Sequence, residues 1–215
     1  MASNETTASP SKWRWLVLVT CFLLYLFGNY SSFAMGLTMV PVREVMGIDA
    51  AAGGMLSSIL MFGAVIGCVL AGRLASTWGS RNVIIASGVV IGLCCIACSQ
   101  IADYNAWLVI RFINGLAYGA QLGPVVTIAA DHWVGKHQNT ATAFILSSFP
   151  IAGLSASFVT KMFAADYTMV WLVCGLVIIP ALLVLLVPSD KLSAEQVAAQ
   201  AKKGESVGFG SIFEG

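Results

Sequence analysis

Arg111 is the one charged residue deep inside the apolar run 106–130. By helical rise it lies roughly 8 Å from the start of that run. A guanidinium in hydrocarbon costs at least about 3 kcal/mol unless it faces a protein interior or a wet cavity. The chemistry open to it is therefore anion recognition, ion pairing or gating. Asn114, Tyr118 and Gln121 follow at helical spacing and make a polar stripe with it. Beside that stripe runs a second one of Gly115, Gly119 and Gly123, the spacing that lets another helix approach closely. In the first apolar run, Tyr25, Asn29, Ser32 and Gly36 share one helical face. Other chemistry is scarce. Cys95 and Cys98 have C-x-x-C spacing but no histidine or carboxylate beside them, so they read as small packing residues, and no metal or cofactor is expected.

The elements that must position these groups are membrane helices. The chain is 58% hydrophobic and 10% charged, with a mean hydropathy of +0.86, far from an ordinary soluble domain. A net charge of +1 leaves no broad attraction for nucleic acid. All six cysteines fall in apolar runs, which excludes a secreted disulfide framework. Apolar stretches near 15–40, 54–75, 83–102, 106–130, 140–163 and 168–188 predict six transmembrane spans. Lys12 and Arg14 before the first run and Ser32-Phe33-Ala34 within it imitate a cleaved signal. The run stays apolar to Val40, so a retained helix is expected.

Basic residues set the orientation. With the N-terminus inside, Lys12, Arg14, Arg73, Arg81, Lys136, Lys191, Lys202 and Lys203 are all cytoplasmic, and six spans return the C-terminus to the same side. The expected organisation is a cytoplasmic segment 1–14, a bundle over 15–188 and a polar linker or tail over 189–215, in the plasma membrane. Glu44, Asp49, Asp103 and Asp166 fall outside or at outer helix ends and Asp131 at an inner end, so no carboxylate is expected at mid-membrane. With Arg111 as the deep charge, an anionic or zwitterionic solute is favoured over a cation.

The spans differ in character. The first and fourth carry the polar stripes and are the expected cavity walls. The second, with Gly63, Gly67 and Ala71, and the fifth, with Gly153, Ser157 and Lys161, are expected to make helix contacts. Pro150 is expected to bend or interrupt the fifth. The third and sixth have few polar side chains and read as outer scaffold. An intramembrane serine protease needs a histidine base on a span, whereas His132 and His137 sit in a loop. The break around Gly53 is a poor channel filter. No enzymatic role follows.

The segment Gly72-Arg73-Leu74-Ala75-Ser76-Thr77-Trp78-Gly79-Ser80-Arg81 resembles the loop signature G-x-L-A-D-R-x-G-R-R of the major facilitator superfamily. Gly72, Leu74, Ala75, Gly79 and Arg81 match; Ser76 stands at the acidic position, and Thr77 and Ser80 at basic ones. The run from Arg111 to Ala120 is similar to the family's fourth-helix signature R-x-x-x-G-x-x-x-G-A. Asp131-His132-Trp133 with Lys136 and Ala141 is similar to the loop after that helix in anion-transporting branches. The fifth-helix motif of drug/proton antiporters has only a loose echo in Ser148 to Gly153.

The resemblance implies an all-α membrane protein of six transmembrane helices in two three-helix inverted repeats, the N-terminal half of a twelve-helix transporter. It implies alternating access for a small solute bound near Asn29, Tyr30, Ser32, Arg111, Asn114, Tyr118 and Gln121. It implies a gating loop at Gly72, Leu74, Ala75, Gly79 and Arg81. The expected partners are membrane lipid, a small-molecule substrate and a second six-helix half or a second copy. The alternative is a non-transporting assembly or sensor protein built on a transporter half.

Overall fold

A computed structural model describes residues 14–133, 138–163 and 166–186. The segment before Arg14, the tail 189–215, Lys136 and His137 lie outside the described residues, and so do the side chains of Arg14, Asp131 and His132. Every regular element described is helical. The order is α1 (Arg14–Met46), α2 (Ala50–Trp78), α3 (Ser80–Gln100), α4 (Tyr104–His132), α5 (Gln138–Leu146), α6 (Ser148–Met162), α7 (Tyr167–Gly175) and α8 (Ile178–Leu183), with a closing 3₁₀ turn at Val184–Leu186.

The eight helices make six spans. α5 and α6 together form the fifth, broken at Ser147. Pro150 has no N–H for the carbonyl of Leu146, which is why the helix interrupts where the proline predicts. The sixth span is also broken, which the sequence reading did not anticipate. Pro180 removes a donor in the first turn of α8, and the chain passes Leu176 and Val177 with i→i+3 bonds from Leu176 to Val173 and from Val177 to Cys174, both 3.1 Å. Four spans are long and apolar enough on composition alone: α1, α2, α3 and the α5–α6 unit. α4, at 29 residues, is not among them, because Arg111, Asn114, Tyr118 and Gln121 lower its hydropathy.

Helix starts explain where the acids went. The Asp49 side chain accepts the N–H of Ala52 at 2.7 Å, that of Asp103 accepts Ala106 at 2.8 Å, and that of Asp166 accepts Thr168 at 3.3 Å. Each carboxylate thus caps the first turn of a span and meets the positive end of its dipole. Glu44, Asp49, Asp103 and Asp166 are all exposed, as expected from their positions in the sequence.

The packing follows a swapped pattern. α2 lies along α4, and α6 lies along α1; α3 packs on α4, and α7 packs on α1. Exchanging the first three spans for the last three reproduces the same pairings, as two inverted repeats require. The α2–α4 contact is the most extensive, and it is made of glycine. A Cβ on Gly115 or Gly119 would collide with the Leu60 or Ala64 carbonyl oxygen, and one on Gly67 with that of Leu116. One on Gly63 would lie 2.5 Å from the Phe112 oxygen. Backbones this close gain van der Waals contact that larger residues forbid. Gly123, the third member of the sequence stripe, is exposed with nothing near it.

Candidate functional site

The Arg111 side chain is 1% exposed and lies between spans rather than on an open wall. Its Cζ sits 4.8 Å from the centre of the Trp171 ring, a cation–π contact that holds one face of the guanidinium. Trp171 in turn meets Trp107 edge-on at 5.4 Å, and the Trp107 indole N–H donates to the Ile101 carbonyl at 2.6 Å. Among the described residues, Nε and Nη1 of Arg111 have no hydrogen-bond partner, and neither has the Trp171 indole N–H. Among the described residues, Asp49, Asp103 and Asp166 are committed to caps at helix starts. Arg111 is therefore a sealed cation without a described counter-charge.

Around it runs a chain of weak polar contacts through four spans. The Ser31 hydroxyl on α1 donates to Asn114 Oδ1 on α4 at 3.5 Å. Asn114 Nδ2 donates to the Cys95 sulfur on α3 at 3.7 Å. The Cys95 thiol reaches Cys174 on α7 at 3.1 Å, and the Cys174 thiol reaches the Phe27 carbonyl on α1 at 3.8 Å. The third and sixth spans, expected as outer scaffold, thus close directly over the charge. α3 is as enclosed as α1, whereas α2 and the α5–α6 span present broad exposed apolar faces.

A second polar group lies further along α1 and α4. The Tyr118 hydroxyl donates to Asn29 Oδ1 at 2.7 Å, and Asn29 Nδ2 donates to the Tyr25 carbonyl at 2.7 Å. Gln121 is fully buried; its Nε2 reaches the Leu24 carbonyl at 3.4 Å while Oε1 has no partner. That amide lies against Gly28, where a Cβ would lie 2.6 Å from Oε1 and the amide would have to shift. Tyr30 points elsewhere, with its hydroxyl 3.4 Å from the Val170 carbonyl on α7.

Six of the seven residues singled out from sequence therefore fall into three sets, and Ser32 belongs to none of them. Asn29, Tyr118 and Gln121 meet at the α1–α4 contact. Arg111 and Asn114 belong to the deeper chain of contacts, and Tyr30 faces α7. Ser32 and Tyr118 are half-buried, whereas the other five are sealed. Ser31, Cys95, Trp171 and Cys174 complete the surroundings of Arg111 and were not expected there. Trp171 and Cys174 are three residues apart and so share a helical face, but no sequence spacing says that this face meets Arg111.

The loop residues are also brought together. Gly79 alone connects α2 to α3, with φ +82°, a conformation that glycine adopts without strain. Its N–H bonds the Ala75 carbonyl at 3.0 Å, and its carbonyl accepts Val83 at 3.3 Å. Leu74 packs against Ala71, Val83 and Ala120, while Gly72 is exposed. The Ser76 and Thr77 hydroxyls, at positions where the resembling signature carries charge, fold back onto the Arg73 carbonyl at 2.8 and 2.9 Å. Arg81 crosses to the end of the sixth span. Its Nε donates to the Val184 carbonyl at 3.2 Å and Nη2 to that of Leu185 at 2.5 Å, satisfying carbonyls that a helix end leaves free. Arg81→Ala is expected to cost about 1–3 kcal/mol, read as a lower apparent melting temperature in detergent. Arg81→Lys, which lacks the forked donor, recovers only part of it. A melting temperature unchanged by Arg81→Ala would remove the cap from the account.

Three comparisons bear on this arrangement. The sequence profile of the Major Facilitator Superfamily matches residues 16–213. A benzoate transport protein of Acinetobacter baylyi is 25% identical over 96% of this chain and 45% of its own length. A 4-hydroxybenzoate transporter of Pseudomonas putida is 27% identical over 73% of this chain and 35% of its own length. The chain thus spans less than half of each of these relatives. Among solved structures, the inward-open xylose transporter XylE from E. coli superposes with a TM-score of 0.70 at 16% identity, covering 88% of this chain and 52% of that one. With a profile match over nearly its whole length and the half-transporter fold, the chain belongs to the major facilitator superfamily.

Proposed function

We propose that this chain forms the N-terminal half of a secondary transporter for a small aromatic carboxylate, working by alternating access against a second six-helix half. The observation that carries the reading is Arg111, a sealed guanidinium with two unpartnered nitrogens and no described acid to neutralise it. A fixed positive charge in a low-dielectric bundle favours an anionic solute over a neutral or cationic one. The benzoate, 4-hydroxybenzoate and gallate transporters among the relatives support an aromatic acid.

Within that reading the residues divide their work. Tyr118 and Ser32, half-buried on α4 and α1, contact the solute. Asn29 and Gln121 hold Tyr118 and its surroundings in register. Arg111, Asn114 and Tyr30 lie a layer deeper and supply the charge and the gate. The loop of Gly72, Leu74, Ala75, Gly79 and Arg81 fixes the cytoplasmic ends of spans two, three and six, so that the half rocks as a unit. The exposed faces of α2 and α6, with Phe62, Val65, Leu154 and Phe158, are open to lipid or to the second half. Arg73 and Arg81, basic residues at one end of the bundle, support a reading in which that end and both chain termini are cytoplasmic in a plasma-membrane protein.

The test is uptake by the full-length protein reconstituted in lipid vesicles. Labelled benzoate is expected to enter saturably, and 4-hydroxybenzoate to compete while myo-inositol does not. Competition by myo-inositol alone would move the assignment to neutral polyols.

A further inference from the structure

The reactive groups closest to one another in the bundle are two thiols that the transport reading does not use. Cys95 on α3 and Cys174 on α7 are both fully buried and unbridged, with sulfurs 3.1 Å apart. A disulfide needs about 2.05 Å, so the two sulfurs must approach by about 1 Å, between helices that already pack together. Two features separate this pair from Cys68, Cys94 and Cys98. Cys94 and Cys98 share α3 but have no thiol against them, and Cys68 donates to the Gly119 carbonyl at 3.3 Å. Cys95 also accepts the Asn114 amide N–H. Both sulfurs also lie within the electrostatic reach of Arg111, a field they share with Cys94 and Cys98, so it is the sulfur–sulfur contact that singles out this pair. Buried thiols in apolar surroundings are ordinarily inert, and a neighbouring guanidinium favours the thiolate that reacts.

We propose that Cys95 and Cys174 are a redox modification site that closes to a disulfide between the third and sixth spans when a hydroperoxide reaches the core. Hydrogen peroxide is uncharged and close to water in size. The Cys95 sulfur attacks one peroxide oxygen and the O–O bond breaks. The thiol proton leaves with the departing hydroxide as water, and a sulfenic acid remains on Cys95. The Cys174 sulfur then attacks the Cys95 sulfur. The S–S bond forms, the S–O bond breaks, and hydroxide takes the Cys174 proton to give a second water. The two sulfurs together lose two electrons and the peroxide gains them. Closure removes the thiol proton directed at the Phe27 carbonyl and ties α3 to α7 beside Arg111. A dithiol reductant reverses it by thiol–disulfide exchange. In a reducing compartment such a bond is transient, as sensing disulfides are.

The test uses the full chain in native membrane vesicles. Vesicles are exposed to hydrogen peroxide, denatured, alkylated with N-ethylmaleimide and mapped by mass spectrometry, with and without dithiothreitol. Wild type is expected to yield one cross-linked peptide joining Cys95 to Cys174, lost on reduction. Cys95→Ser is expected to leave Cys174 free of any cross-link, and Cys98→Ser to behave as wild type. Because the wild-type map alone identifies the pair, the result stands even if Cys95→Ser folds poorly. Full alkylation of both residues after peroxide overturns the proposal, as does a cross-link from Cys174 to Cys94 or Cys98.

Discussion

Gly119→Ala is expected to lower the apparent melting temperature of the purified protein by about 10 °C, a loss of about 3 kcal/mol or more for a chain of this size. The added methyl has no flexible neighbour to displace. It meets the Ala64 backbone of α2, so the helices must separate along the contact that joins the two repeats. Gly115→Ala meets the Leu60 carbonyl and is expected to behave alike. Gly123→Ala is the control. It lies one further step along the same stripe, faces open space, and is expected to change the melting temperature by no more than about 2 °C, because alanine is the better helix former. Thermal unfolding followed by intrinsic tryptophan fluorescence reads all three. Equal losses at 119 and 123 would mean that the glycines matter for the helix itself and not for its approach to α2.

Arg111→Met is expected to separate stability from transport. A buried charge with no described counter-ion is a cost to the fold, and an apolar side chain of similar length removes it while keeping contact with Trp171. The melting temperature should hold or rise by a few degrees, about 1 kcal/mol. Uptake of benzoate should fall at least about 30-fold, the lower end of the effect of deleting a buried charge that meets an opposite one. Arg111→Lys keeps the charge but loses the planar stack on Trp171, and is expected to fall between the two. A variant that melts lower and transports normally would make Arg111 a structural residue alone.

Much of this architecture is legible in the sequence, for reasons that are local. Apolar runs of bilayer length locate the six spans, Pro150 marks the break in the fifth, and Gly79 marks the one-residue turn, because each effect acts within a few residues of its cause. The polar stripes of the first and fourth spans are readable as well, whereas the bond between Asn29 and Tyr118, 89 residues apart, is not. What could not be read is which faces meet across long separations. Cys95 and Cys174 are 79 residues apart, and their contact depends on how α3 and α7 pack, not on either local pattern. For the same reason Gly123 looks identical to Gly119 in sequence and differs in space, where an added Cβ would meet nothing within 4 Å. The third and sixth spans were expected as scaffold because they lack polar side chains. Sulfur and indole, counted as apolar, proved to be what surrounds the guanidinium.

The chain covers less than half the length of the aromatic-acid transporters it matches, so its activity is best measured on the full-length protein. The central claim is that the charge at Arg111 selects a carboxylate. Benzoate and benzamide have nearly the same shape and differ in charge at neutral pH. Uptake of labelled benzoate into vesicles should therefore be inhibited by unlabelled benzoate and not by a tenfold excess of benzamide, and Arg111→Met should abolish that preference together with most of the uptake. Equal inhibition by the neutral amide, or full benzoate uptake through Arg111→Met, would contradict the account.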